Sequence, residues 1–203
     1  MDDLRHRVRD HFSTVYITIA SVLLGLSLAD IVALLRDLEQ HSVFVWLQAL
    51  AIIHLIFNAW YAYSGYATII YAVPTVWDSL SVFLLSAAHF AMAAFVGSSA
   101  DYFCFAIAVY ATVAIGSIYY SGWRMGKVSP LEIRPTTLAP AMIVNAIAAP
   151  FFAAVGTLFN LDYLGPRAEI VVGIVIIAYA TTWLVVYTHI SNKYVIAKLF
   201  ESE

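Results

Sequence analysis

Charged positions divide the chain into long uncharged stretches. With His counted as neutral, six stretches of 19 to 38 residues carry no Asp, Glu, Lys or Arg; they are 11–29, 40–77, 79–100, 102–123, 135–161 and 170–192. A membrane-spanning helix needs about 20 mostly apolar residues, because roughly 30 Å of hydrocarbon is crossed at 1.5 Å per residue. Each stretch is therefore long enough to contribute at least one span.

The pattern predicts an all-α, polytopic membrane protein with six transmembrane helices. Stretch 40–77 is too long for one helix, so we place a turn around Ser64, Gly65 and Pro74, and the third helix then carries Asp78 near its start. Pro suits a first helical turn, where its missing N–H is not needed, and lipid offers no partner to the backbone of any other spanning structure. Within a single transmembrane domain, 1–203, the predicted helices are about 12–35, 43–63, 74–96, 102–123, 138–160 and 169–190.

Basic residues are concentrated on one side of this predicted bundle. Eight of the ten Lys and Arg residues fall there; they are Arg5, Arg7, Arg9, Arg124, Lys127, Arg134, Lys193 and Lys198. The other two are Arg36 and Arg167. Because cytoplasmic loops carry an excess of Lys and Arg, we expect both termini in the cytoplasm, N-in and C-in, and localisation in a bacterial inner (plasma) membrane.

Composition excludes several classes of protein. Hydrophobic residues make up 63% and charged residues 11%, against roughly 45–50% and about 25% in soluble domains, and the mean hydropathy is +0.85. Lys and Arg total 10 against 13 Asp and Glu, which leaves no basic excess for nucleic acid. A single cysteine, Cys104, excludes a disulfide framework and a Cys-based metal site. Since the GxSxG and HExxH motifs are also absent, we predict no enzyme, no catalytic residue, no metal and no cofactor.

Five polar residues inside the predicted spans are candidates for a pore or a proton relay. They are Asp30, His54, Asn58, Asp78 and His89. A charged residue in a span costs about 2.5–3.5 kcal/mol on insertion scales and usually faces a bundle interior or water. Asp78 and His89 lie three turns apart on one face of the third helix, and His54 and Asn58 are one turn apart on the second. The alternative is structural: the Asp residues reach interfacial water, and the others bond between helices.

Haem is disfavoured as an explanation of the two histidines. His54 and His89 differ in depth by roughly 6 Å at the rise of an α-helix, so they are poorly placed to ligate one iron from neighbouring helices.

The first helix carries a stripe of small residues on one face. At spacings of three and four, its members are Thr14, Thr18, Ser21, Gly25 and Ala29. Small residues let helices approach closely in a membrane. The stripe either packs inside the subunit or lines an axis shared by the subunits of a homo-oligomer.

Aromatic residues near the basic side of the bundle are typical of an interfacial belt. Tyr63, Trp77, Tyr120 and Trp123 all fall there, and Tyr and Trp are enriched at the headgroup level. We therefore expect these four rings to face the membrane–water interface.

Two resemblances to known proteins support the six-helix architecture. Residues 23–32, LLGLSLADIV, and the Trp residues of the second helix, Trp46 and Trp60, resemble a group of small uncharacterised bacterial six-helix membrane proteins. The chain also resembles bacterial relatives of the endolysosomal potassium channel family. Its residues 12–14 read Phe-Ser-Thr where that family has Phe-Ser-Asp, and Trp60 and Tyr110 match its second and fourth helices. This second resemblance implies cytoplasmic termini and a pore lined by helix 1; the missing Asp separates the chain from the family's potassium selectivity.

Two functions remain open. The first is a channel or small transporter for a cation or protons, with a path bordered by helix 1. The second is a non-catalytic membrane subunit or sensor that docks a protein partner through the cytoplasmic segments 1–11, 124–137 and 191–203. In either case we expect the lipid bilayer and further copies of the chain as partners.

Overall fold

The computed structural model describes residues 2–36, 42–69, 75–128 and 135–193, and these residues form six helices. The helices are α1 (Asp2–Leu34), α2 (Val43–Ile69), α3 (Val76–Ala94), α4 (Ala100–Val128), α5 (Ala139–Asn160) and α6 (Pro166–Ser191). No strand occurs in the described ranges. All six helices are long and apolar enough to cross a membrane. The prediction of an all-α integral membrane protein with six spans is confirmed, and the orientation of its termini stays a prediction.

Three helices, α1, α2 and α4, extend beyond their predicted bounds by five residues or more, and α6 begins three residues early. α1 begins at Asp2 instead of near residue 12, and α4 continues to Val128, because charged residues end an apolar span without ending a helix. The predicted turn at Ser64 and Gly65 is wrong, since α2 runs through both to Ile69; Gly is common within transmembrane helices. The predicted Pro74 position lies outside the described residues.

Close helix contacts in this bundle depend on glycine. α2 packs against α1, α3, α4 and α6, while α5 lies along α4. A Cβ atom placed on Gly173 of α6 would lie 2.8 Å from Cβ of Leu47 on α2, and one on Gly156 of α5 would lie 3.1 Å from the Asp101 carbonyl of α4. A larger residue at Gly173 would require Leu47 to shift, and one at Gly156 would be a tight contact, so glycine favours both close approaches.

The two ends of the bundle differ in charge. Where α3 begins and α4 ends, Arg124 and Lys127 lie in the last turns of α4; we call this the basic end. At the opposite end, where α3 leads into α4, Asp101, Asp162 and Glu169 lie around one surface depression; we call this the acidic end.

Gln48 of α2 fixes the α3–α4 turn at the acidic end. Its side chain is fully buried, accepts a hydrogen bond from the Gly97 N–H at 2.8 Å and donates one to the Ser98 carbonyl at 3.2 Å. Gly97 adopts a φ of +86°, a region that other residues enter only with strain. The turn is thus determined by one glycine and one buried amide.

Candidate functional site

Among the described residues, seven polar side chains are buried inside the bundle. They are Ser27, Gln48, Asn58, Asp78, Ser86, His89 and Asn145. Three of these, Asn58, Asp78 and His89, are among the residues that the sequence singled out. Most of the remaining buried side chains are apolar. These seven residues are therefore the main candidates for a functional site inside the bundle.

Asp78 lies at the basic end, in a dense polar network. Its Oδ2 atom accepts hydrogen bonds from the Thr75 N–H at 2.6 Å and the Thr75 hydroxyl at 2.9 Å, which ties down the start of α3. Its Oδ1 atom accepts one from the Tyr120 hydroxyl at 3.0 Å and lies 3.3 Å from Nε of Arg124. The carboxylate is fully buried, whereas the Arg124 side chain is 12% exposed. The network therefore connects a buried charge to the surface of the basic end.

Separate polar contacts lie between this network and the centre of the bundle. One turn deeper, the hydroxyls of Ser81 on α3 and Ser117 on α4 are 2.7 Å apart. Deeper again, the Tyr63 hydroxyl of α2 donates to the Val82 carbonyl at 3.4 Å, close to the buried Ser86. Eleven residues separate Asp78 from His89, or about 16 Å at 1.5 Å per residue. That is half of roughly 30 Å of hydrocarbon, so this polar ladder ends near the membrane centre.

His89 is the innermost group of the polar ladder. It is fully buried, and its ring meets the edge of Tyr110 with centroids 4.6 Å apart. Nδ1 lies 2.8 Å from the Leu85 carbonyl; since a carbonyl only accepts, Nδ1 carries the proton and Nε2 of the neutral ring is an acceptor. Nε2 interacts with the Leu55 backbone of α2, but no hydrogen bond of standard geometry reaches it in the described part of the chain.

A small internal cavity lies beside the ladder. Its volume is about 50 Å³, and its polar lining consists of Tyr63, Tyr110, Ser117, Ser121, Trp183 and Tyr187. A water molecule needs roughly 10–15 Å³ and a drug-sized ligand about 300 Å³ or more, so the cavity has room for a few water molecules and for no organic substrate. Trp183 is 3% exposed, and its indole N–H has no acceptor among the described residues.

The half of the bundle between His89 and the acidic end is sealed by apolar side chains. Met92, Phe103, Cys104 and Ile107 are 0–1% exposed, and Phe103 meets Phe44 edge to face with ring centroids 6.4 Å apart. The interior thus carries polar groups from the basic end to His89 and is mainly apolar beyond it, where the buried amide of Gln48 lies at the α3–α4 turn.

Three of the predicted relay residues, Asp30, His54 and Asn58, lie away from the ladder. Asp30 is exposed on α1, and His54 is only half-buried on α2. Asn58 is fully buried and donates to the Ala180 carbonyl of α6 at 2.8 Å, leaving its Oδ1 atom without a partner. The structure therefore brings Asp78 and His89 onto one path and places Asp30 outside it.

The small-residue stripe of α1 faces away from the rest of the subunit. Thr14, Thr18, Gly25 and Ala29 are exposed and Ser21 is half-buried. A Cβ atom on Gly25 would have no heavy atom within 4 Å. The buried side of α1 is instead formed by Ala20, Leu24, Ser27 and Ile31.

Sequence reasoning missed the roles of Tyr63, Tyr120 and Arg124. Tyr63 was expected at the membrane interface and is 5% exposed, inside the bundle; Tyr120 is half-buried against Asp78. Arg124 was assigned only to a cytoplasmic loop, yet it pairs with Asp78. Within the described ranges, no group of three or more His, Cys, Asp or Glu residues is placed to hold a metal ion.

The chain matches no protein-family model, no curated protein and no solved structure. Both resemblances of the first helices therefore stay predictions, and function has to be argued from the geometry above.

Proposed function

We propose that this integral membrane protein conducts protons through the interior of each subunit, along the ladder from the Asp78 network to His89. The single observation that carries the proposal is the fully buried His89, whose Nε2 atom has no hydrogen bond of standard geometry among the described residues. An unmet buried acceptor costs about 1–3 kcal/mol, and such groups inside membranes commonly mark proton or substrate pathways. A proton that reaches Nε2 gives His89 a second N–H.

The residues between Asp78 and His89 support proton movement over the movement of metal ions. Serine and tyrosine hydroxyls both donate and accept hydrogen bonds, so they can pass protons by exchanging bonds. A dehydrated cation needs several oxygen ligands, and the lining of the cavity contains no carboxylate. Of the two species expected from the sequence, the proton is therefore the better supported.

The apolar half beyond His89 makes alternating access the mechanism that we favour. His89 receives a proton from the basic end, and a rearrangement around Phe44, Met92 and Phe103 is then required before the proton leaves at the acidic end. In such a mechanism a single central site, here His89, is accessible alternately from the two sides of the membrane.

Ion flux into liposomes tests this function. Purified protein is reconstituted into liposomes that contain a pH-sensitive dye. A membrane potential is then imposed in three separate experiments, in which H⁺, K⁺ or Na⁺ is the only permeant cation. We expect dye-reported acidification above that of protein-free liposomes and no K⁺ or Na⁺ flux. Metal-cation flux without acidification would overturn the proton assignment, and no flux of any kind would overturn transport.

A path between subunits, bordered by α1, is a second candidate. One observation favours it: the Gly25 side of α1 is open and carries hydroxyl groups and small residues. Its test is Gly25→Leu, which fills such a path while leaving the ladder intact. The third possibility, a subunit or sensor docking a cytoplasmic partner, is tested by copurification of a stoichiometric second protein from the native membrane.

A further inference from the structure

A surface groove of about 340 Å³ runs between α3 and α4. Trp77, Leu80 and Leu84 form one wall, and Thr112, Val113 and Gly116 form the other. These residues belong to the spanning segments of both helices, so the groove opens into the bilayer. A Cβ atom on Gly116 would have no heavy atom within 4 Å, which leaves the groove unobstructed at that point.

The polar groups of the groove already have partners within the subunit. Ser81 and Ser117 bond to each other, the Thr112 hydroxyl donates to the Ala108 carbonyl at 2.9 Å, and Tyr120 donates to Asp78. These groups therefore do not need a polar ligand in the groove to complete their hydrogen bonds. Its remaining surface is apolar, and a hydrocarbon chain is the occupant that it suits.

Towards the basic end, the α4 face that lines the groove continues to Arg124 and Lys127. Val113, Ser117, Tyr120, Arg124 and Lys127 follow one another on α4 at spacings of four and three, so they share one face of the helix. Lys127 is exposed, and its Nζ atom lies 3.9 Å from the centre of the Trp123 ring. Beyond the groove, this end of α4 thus carries an aromatic ring and a cation, as expected at a headgroup interface.

The length of this line matches one leaflet. Thr112 and Lys127 are fifteen residues apart, or about 22 Å along a helix, and half of a bilayer of roughly 40–45 Å is about 20–22 Å. A lipid with its phosphate beside Lys127 therefore places its acyl chain along the whole groove.

A second groove, between α4 and α5, provides a comparison for the charge that lies near each groove. It has a volume of about 480 Å³ and is lined by Phe105, Val109 and Pro150, among others. The nearest charged residue to it along α4 is Asp101, which repels phosphate, whereas Asp78 beside the α3–α4 groove is paired with Arg124. Both grooves admit acyl chains, but only the α3–α4 groove combines a chain site with a cation.

We propose that the α3–α4 groove is a specific site for one anionic phospholipid, whose acyl chain lies between the helices and whose phosphate lies beside Lys127. The proposal does not depend on proton transport. The shape of the groove accepts the acyl chain of any phospholipid. The charge of Lys127 favours a lipid with an anionic headgroup. A basic residue near an anionic membrane surface contributes enough to favour the anionic lipid by about fivefold.

The test is native mass spectrometry of the delipidated protein titrated with phosphatidylglycerol or phosphatidylcholine. We expect wild-type protein to bind the first lipid molecule about fivefold more tightly when it is phosphatidylglycerol. Lys127→Gln should abolish this preference, whereas Arg167→Gln, an exposed charge at the acidic end, should keep it. Gly116→Leu should weaken the binding of both lipids, and Ala154→Leu, on the exposed face of α5, should weaken neither.

Leu84→Ala provides a second groove variant in case Gly116→Leu fails to fold, since it removes part of a wall and should also weaken both lipids. Wild-type binding curves in Lys127→Gln, or in whichever groove variants fold, would overturn the proposal. So would disulfide crosslinking of Gly116→Cys between subunits in liposomes, because a second copy of the chain would then occupy the groove.

Discussion

Arg124 and Asp78, 46 positions apart in the chain, meet at the basic end with 3.3 Å between Nε and Oδ1. The contact joins the end of α4 to the beginning of α3. Asp78 also accepts a hydrogen bond from Thr75, just before α3 starts. The same carboxylate therefore caps the start of α3, joins α3 to α4 and lies at the outer end of the polar ladder.

Asp78 and Arg124 should be energetically coupled. Removing one partner of a buried pair costs about 3–5 kcal/mol, but Arg124 is partly exposed and can turn towards lipid headgroups, so we expect less. A double-mutant cycle with Asp78→Asn and Arg124→Gln should give a coupling free energy of about 1–3 kcal/mol, measured by SDS unfolding followed by circular dichroism. Single-variant effects that add to within about 0.5 kcal/mol would contradict the coupling.

Gln48→Leu should destabilise the bundle at the acidic end. The change removes both hydrogen bonds to the α3–α4 turn and leaves the Gly97 N–H unpaired, at a cost of about 1–3 kcal/mol in the free energy of unfolding. The melting temperature in detergent should fall accordingly. Thr157→Val, which removes an exposed hydroxyl bonded only to its own helix, is the control and should change stability by about 0.5 kcal/mol or less.

Adding one methyl group should have opposite effects at two glycines. Gly173→Ala places a Cβ atom 2.8 Å from Leu47 and should destabilise the protein by about 1–3 kcal/mol through overpacking. Gly25→Ala meets no neighbour and should be neutral, or stabilising by roughly 0.5–1 kcal/mol, because Ala is the better helix former. Thermal unfolding of both variants decides the matter, and equal melting temperatures would show that α2 and α6 pack less closely than described.

If subunits associate through α1, cysteines on its stripe should crosslink. In a Cys104→Ala background, oxidation of Gly25→Cys in liposomes should yield covalent dimers on a non-reducing gel. Ala154→Cys, also exposed but on α5, should stay monomeric. Crosslinking to the same extent at both positions would reflect random collision and would remove the support for an α1 interface.

Much of the fold follows from the spacing of charges in the sequence. Six helices were predicted because each apolar stretch had to cross roughly 30 Å of lipid. The ends of α1 and α2 were misjudged, because charges near Asp2 and a glycine at position 65 interrupt hydrophobicity without interrupting helical hydrogen bonds. Helix ends outside the hydrocarbon are set by local bonding, which the apolar pattern does not report.

The candidate site was only partly predictable. Asp78 and His89 stood out because polar residues in spans are costly, and their shared helix face placed them on one line. The pairing of Asp78 with Arg124, and the inward turn of Tyr63, depend on which helices become neighbours. Neither can be read from residue spacing along a single helix. The sequence therefore did not distinguish a tyrosine at the membrane interface from a tyrosine buried inside the bundle.

Proton flux through His89→Asn liposomes tests the central claim most directly. Asn keeps an N–H for the Leu85 carbonyl but has no ring nitrogen to accept a proton, so the fold should survive, as an unchanged melting temperature would show. We expect dye-reported proton flux to fall by about 100-fold, the lower range of what a positioned acid–base group contributes, while His54→Asn retains the wild-type rate. Wild-type flux in His89→Asn, with or without a loss in His54→Asn, would contradict the account.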